Sequence, residues 1–220
     1  ARQEVEPIFF FFFERKARSV GVFHFDDAYG ASVAGELERS SQGTIVEVDA
    51  VSYTGESSEI ENATAEFSEH DALYMVGFAS HILAMRQAFQ ETDYQGLVMS
   101  TSTATIPSLR RSNDFDGIYV AAPLMYNDAF VFAEEVSRRY ADEYGLELSH
   151  YAATGYDIIR IIAGLLEGEP LERERVIEIL EEGFIYPGVF GEITLHPGEN
   201  NMYFPLYPAR ISGDSIQYMQ

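Results

Sequence analysis

Short apolar runs alternate with amphipathic helical stretches between Val20 and Ala121, and this alternation constrains the fold more than any other feature of the chain. Val20–Phe25, Thr44–Val51, Ala72–Val76, Leu97–Met99 and Ile118–Ala121 are apolar or rich in β-branched residues. Between them, Ala28–Arg39, Ser57–Glu69 and Ser80–Gln90 carry apolar residues at helical spacing. Ser57 or Ser58 is the expected cap of the second helix. Strands that alternate with helices build βαβ units and therefore a parallel sheet. The expected fold class is α/β.

The texture changes after Pro123. Helices are expected over Asp128–Tyr144 (capped by Asn127 or Asp128), His150–Leu166 and Arg173–Glu182. In the second of these, Tyr156, Ile159, Ile162, Ala163 and Leu166 form one apolar stripe. β-segments follow at Val189–Leu195 and Tyr203–Ile211, separated by turn chemistry at His196–Asn200. Amphipathic helices need a partner for their apolar stripes, and residues 123–200 offer few strands to supply one. The block is therefore expected to pack on something outside this chain, or on another copy.

Charge narrows the function. Thirty-six acidic residues face fourteen basic ones, a formal net charge of −22. Nucleic-acid binding is excluded as a primary role because phosphates need a basic face. An anionic membrane surface would repel the chain as well. Lys16 is the single lysine; an acid excess with so little lysine suits a salt-rich environment, where screening weakens self-repulsion, and the alternative reading is solubility with an arginine-favouring codon usage. There is no cysteine, so thiol chemistry is absent. No apolar stretch is long enough to span a bilayer. The aromatic run Ile8–Phe13 is too short for a span and is expected to be buried, since exposed it would invite aggregation.

The usual catalytic and cofactor signatures are missing. No GxGxxG, GxxxxGK[ST], HExxH or GxSxG occurs. The five histidines (His24, His70, His81, His150, His196) lack metal-ligand spacing and read as surface or locally bonded side chains. Asp26 and Asp27 follow the first strand, at the sheet edge where open α/β proteins bind ligands. They suit a metal or acid–base chemistry, but capping of the next helix explains them more simply.

Five motifs in order carry a resemblance. Ser19–Gly30 (SVGVFHFDDAYG), Asp71–Phe78 (DALYMVGF), Met85–Ala88 (MRQA), Gly155–Asp157 (GYD) and Phe184–Leu195 (FIYPGVFGEITL) resemble type I periplasmic solute-binding proteins, the branched-chain amino-acid receptors of ABC transporters. The resemblance runs from about Lys16 onward. It implies the type I periplasmic-binding-protein (Venus flytrap) fold: a ligand-binding α/β lobe over residues 16–123 and 203–220, a helical part of the other lobe over 124–202, and an inter-lobe helix or segment at 1–15. The sheet of that other lobe would precede residue 1.

The same resemblance implies a function. The chain is expected to be an extracytoplasmic solute receptor, not an enzyme, that needs no metal or cofactor. It would bind a small polar metabolite in an inter-lobe cleft and engage an ABC permease, with no direct membrane insertion. A ligand-sensing domain of a signalling protein with the same fold is the first alternative; an open α/β enzyme using Asp26 and Asp27 is the second. By position, ligand contacts fall on Tyr29, Phe78, Ala79, Ser80, Ser102 and Tyr151. Ala79 and Ser80 open a helix whose N–H groups suit a carboxylate or polar head. Ser102 stands where amino-acid receptors of this kind place an acid against the ligand's ammonium. A serine offers no charge-assisted bond there, which turns the expectation toward an amide, an organic acid or another small metabolite.

Overall fold

The computed structural model describes residues 1–168 and 172–219; residue 220, the end of the expected terminal β region, lies outside them. The chain divides into two compact units, one of Ala1–Ala122 plus the segment from Tyr207 on, the other of Pro123–Leu206. Residues 1–15 fall in the first unit and 203–206 in the second.

The first unit is a sheet with helices on it. Its strands are β1 (Ser19–Phe25), β2 (Glu47–Tyr53), β3 (Ala72–Val76), β4 (Leu97–Ser100), β5 (Tyr119–Pro123), β8 (Leu206–Ser212) and β9 (Ser215–Tyr218). They lie in the order β2-β1-β3-β4-β5-β8-β9. The pairs β1–β2, β1–β3, β3–β4 and β4–β5 are parallel, as βαβ units require. The β8–β9 hairpin is antiparallel.

Burial tracks position in the sheet. Every residue of β3 and the five central residues of β1 are buried, the signature of strands covered on both faces. Strand β2 is largely exposed, and Glu47 and Asp49 charge this edge against pairing with another chain. At the amino ends, the Asp71 carboxylate accepts from the N–H groups of Arg18 (2.7 Å) and Ser19 (3.1 Å). These bonds, the Arg18 N–H first, hold its pKa below the usual value.

Helices α1 (Arg2–Glu14), α2 (Ala28–Ser41), α3 (Ser57–Glu66) and α4 (Ala79–Gln90) complete the unit, with a single turn α5 (Pro107–Arg110). The aromatic run falls inside α1, and helical periodicity divides it. Phe11 and Phe12 are buried whereas Phe10 and Phe13 are exposed, so the expectation of burial holds for only part of the run. The inward face of α1 is Glu4, Val5, Ile8, Phe11 and Phe12. Helix α3 is capped by Glu56 rather than by Ser57 or Ser58. Glu59 reaches back to the N–H groups of Thr54 and Glu56, closing a capping box one residue earlier than the serines allow.

The second unit holds α6 (Val131–Tyr144), α7 (His150–Leu165), α8 (Arg173–Glu182) and the antiparallel hairpin β6 (Phe184–Gly188)–β7 (Gly191–Leu195). Helix α6 starts three residues later than Asp128. Asn127 turns its side chain onto the Ala129 N–H, a local turn that competes with capping. Of the apolar stripe of α7, Tyr156 packs on the core of this unit. Ile159 is 66% exposed and Ile162 45% exposed, and Ala163 is exposed too. The inward face is instead His150, Ala153, Asp157 and Ile161.

A buried carboxylate sets that orientation. Asp157, 1% exposed, accepts from the N–H groups of Val189 (2.9 Å) and Phe190 (3.3 Å) in the β6–β7 turn. Burial raises its pKa, opposed in part by these two donors. Gly188 makes the approach possible, because a Cβ there would lie 2.7 Å from Asp157 Oδ2. Around it, Met125, Ala133, Val136, Leu148, Ala153, Val189 and Phe190 form one apolar cluster.

Asp157→Ala strands two buried donors and is expected to cost about 2–4 kcal/mol. Asp157→Asn, which keeps one acceptor, should cost less. Urea unfolding of both variants at neutral pH tests the ranking, and equal losses would contradict it.

Candidate functional site

The sheet order locates a candidate site. The chain passes from β1 outward to β2, then crosses back to β3 on the other side of β1. Ligands in open α/β sheets bind beyond the carboxyl ends of the strands at such a switch point. Here the segments beyond those ends are Asp26–Tyr29 after β1, Gly77–Ser80 after β3 and Thr101–Ser102 after β4. Five of the six expected contact residues therefore stand along one edge of the first unit.

At β1, Asp27 is a cap. Its Oδ1 accepts from the Gly30 N–H at 2.7 Å, and the backbone of Gly30 packs against the end of β1. A Cβ at Gly30 would lie 2.1 Å from the Phe25 carbonyl oxygen, so only glycine lets α2 start this close. That approach fixes Tyr29, half-buried one residue earlier. Asp26 is exposed, and its N–H pairs with the Tyr53 carbonyl. Asp27 is thus engaged as a helix cap, while Asp26 is exposed beside it.

At β3, Phe78 is 56% exposed at the head of α4. No side chain caps that helix, so the N–H groups of Ala79 and Ser80 remain open to an acceptor. Beside them His81 stacks on Phe25, ring centroids 3.7 Å apart, and meets Phe78 edge-on at 5.8 Å and Tyr53 at 6.1 Å. An aromatic wall thus spans the ends of β1, β2 and β3. His81 Nδ1 is buried with no hydrogen-bond partner among the described residues.

At β4, Ser102 opens a 3₁₀ turn. Its N–H donates to Glu4 Oε1 at 2.6 Å, while the Tyr29 hydroxyl donates to Glu4 Oε2 at 2.5 Å. One carboxylate from α1 therefore joins Tyr29 and Ser102. Two fully buried hydroxyls near this bridge, those of Tyr74 and Thr101, have no partner among the described residues. Burial pushes the Tyr74 hydroxyl well above its usual pKa, with Glu4 and then Tyr29 adding to the rise.

The sixth residue, Tyr151, belongs to the second unit. It is 57% exposed near the start of α7, and its ring lies 3.9 Å from that of His150. Sequence reasoning missed Glu4 and His81. Glu4 reaches partners 25 and 98 residues away, a relation with no local signature. His81 sits three residues after Phe78, a helical spacing that hinted at contact.

The chain belongs to the periplasmic binding protein family, whose model matches residues 1–215. The fold matches solved structures at low identity. An extracellular ligand-binding receptor from Rhodopseudomonas palustris HaA2 gives a TM-score of 0.86 at 14% identity, over 99% of this chain and 67% of that one. A leucine binding protein from Thermotoga maritima MSB8 gives 0.83 at 18%, over 99% and 64%. A solute binding protein of an ABC transporter from R. palustris, solved with benzoate, gives 0.84 at 12%, over 99% and 62%. The chain thus spans 62–67% of the length of these three. No curated protein matches the chain.

Burial depresses the His150 pKa to about 4. A group whose folded pKa lies below its unfolded value of about 6.5 binds protons better when unfolded. Stability is therefore intact above pH 6.5 and falls as pH drops toward 4. Acidification from pH 7 to 5 is expected to cost about 2 kcal/mol through this group. Chemical unfolding of His150→Gln should show a shallower slope across that window, and an unchanged slope would refute the assignment.

Proposed function

We propose that this chain is the ligand-recognising part of an extracytoplasmic solute receptor serving an ABC permease, and that it binds without turnover. The observation that carries the reading is the convergence of Tyr29, Phe78, Ala79, Ser80 and Ser102 at the carboxyl edge of the sheet, beside its switch point. Such a site offers an exposed aromatic, open N–H groups and a hydrogen-bonded carboxylate. These suit a small polar metabolite: amino-acid-like, an amide or an organic acid. Tyr151 is included on the strength of its sequence position.

Family membership supports the receptor class, and the structural neighbours include a leucine binding protein and solute binding proteins in complex with benzoate and with 3,4-dihydroxybenzoic acid. The capping role of Asp27 weakens the enzyme reading, because it removes one of the two carboxylates that reading needs. A sensory role with the same fold would use the same edge; finding permease genes beside the coding sequence would favour transport over it.

A thermal-shift screen of metabolites on the full-length protein tests the proposal, since a ligand of the native state raises the midpoint. A hit bound stoichiometrically and left unchanged is expected; chemical turnover of the hit would overturn it. Tyr29→Ala should then weaken calorimetric affinity for that hit by about tenfold or more while the far-UV spectrum stays native. Unchanged affinity would remove Tyr29 from the site.

A further inference from the structure

Of the five asparagines in the chain, Asn62 alone is followed two places on by a hydroxyl residue, in Asn62-Ala63-Thr64. That tripeptide is the acceptor sequence for N-linked sugars. It falls inside α3, and the helix separates its two key residues. Asn62 is exposed, whereas Thr64 is buried with its hydroxyl donating to the Glu61 carbonyl at 2.7 Å. Asparagine is an unfavourable choice for a helix interior, and the Asn62 side chain makes no hydrogen bond among the described residues. The packing of α3 therefore gives no reason for an amide at this position.

The surface around Asn62 has room for a bulky group. Neighbours on a helix lie three and four residues away, which here means Ser58, Glu59, Ala65 and Glu66. Ser58 and Ala65 are exposed and small. Glu59 is drawn aside, because its carboxylate takes the N–H groups of Thr54 and Glu56 in the capping box. Of the four neighbours, only Glu66 extends a long side chain into the solvent beside Asn62.

We infer that Asn62 carries an N-linked sugar, added before α3 folds. The inference rests on the extracytoplasmic placement proposed above. In the transfer, the Asn62 side-chain nitrogen bonds to the anomeric carbon of a sugar carried on a lipid phosphate or pyrophosphate. The bond from that carbon to the phosphate oxygen breaks, the lipid phosphate leaves with the electron pair, and one amide proton passes to a base of the transferase. The acceptor sequence is defined by its amide and its hydroxyl together. Residues two apart point to opposite sides of a helix but to the same side of an extended chain. Folded α3 cannot present Asn62 and Thr64 together, so the extended nascent segment is the substrate. Folding then leaves the sugar on the open side of α3 and hides the threonine.

Intact-mass measurement of the full-length protein, purified from its native host after separating extracytoplasmic from cytosolic fractions, tests this. The mass is expected to exceed that of the mature polypeptide by a whole number of sugar residues, and fragmentation should place them on Asn62. Thr64→Ala leaves the asparagine in place and should lose the sugar completely, whereas Thr64→Ser keeps the hydroxyl and should retain it. If Thr64→Ala does not fold, Asn62→Gln, a change at an exposed position, should show the same complete loss. An extracytoplasmic protein without sugar, or a sugar that survives Thr64→Ala or Asn62→Gln, would overturn the inference and leave the receptor reading standing. Recovery from the cytosol alone would overturn the extracytoplasmic placement and the inference with it.

Discussion

Strands β1 and β3 pair in parallel with both of their faces shielded from water, and the rest of the first unit is arranged around that pairing. Two strands sealed this way must be covered by helices, which α1, α2, α3 and α4 provide. Their register is held at the amino ends by Asp71, whose carboxylate takes the N–H groups of Arg18 and Ser19 while Ser19 Oγ takes the Asp71 N–H. With the register held, Phe25 and Val76 end within a residue of one another, and the loops that follow are brought to one edge. The candidate site on those loops is a consequence of the strand pairing.

The carboxyl edge combines rigid and unsatisfied parts. Gly30 and the Asp27 cap lock the start of α2, and the stacked His81 and Phe25 rings brace the start of α4. Against this frame, the open first turn of α4 and the Glu4 carboxylate keep hydrogen-bonding capacity in reserve. A folded chain tolerates such deficits where a ligand will make them good.

The sequence was legible where periodicity was local. Strands β1 and β3 read directly as apolar runs, and the alternation with helices foretold the parallel sheet. The edge that carries the candidate site was legible because strand ends can be located once strands are. What escaped depended on distant partners. The buried face of α7 is one such case, because Asp157 is bonded to the β6–β7 turn, 32 residues away. The cap of α3 moved because Glu59 reaches back across a boundary that propensity alone assigns to serine. Glu4 lay in a segment whose most obvious feature was its phenylalanines.

The first unit is discontinuous in the chain, and this has a consequence for synthesis. Strand β5 is made early, but β8, its neighbour in the sheet, is separated from it by the entire second unit. Until Leu206–Ser212 has left the ribosome, β5 presents an unpaired edge with buried-type residues such as Val120 and Ala121. An open edge of that kind is a template for pairing with another chain. A nascent molecule of this protein therefore has reason to be held by a chaperone through the whole translation of its second unit, and a stop codon anywhere before β8 would leave a product prone to aggregate.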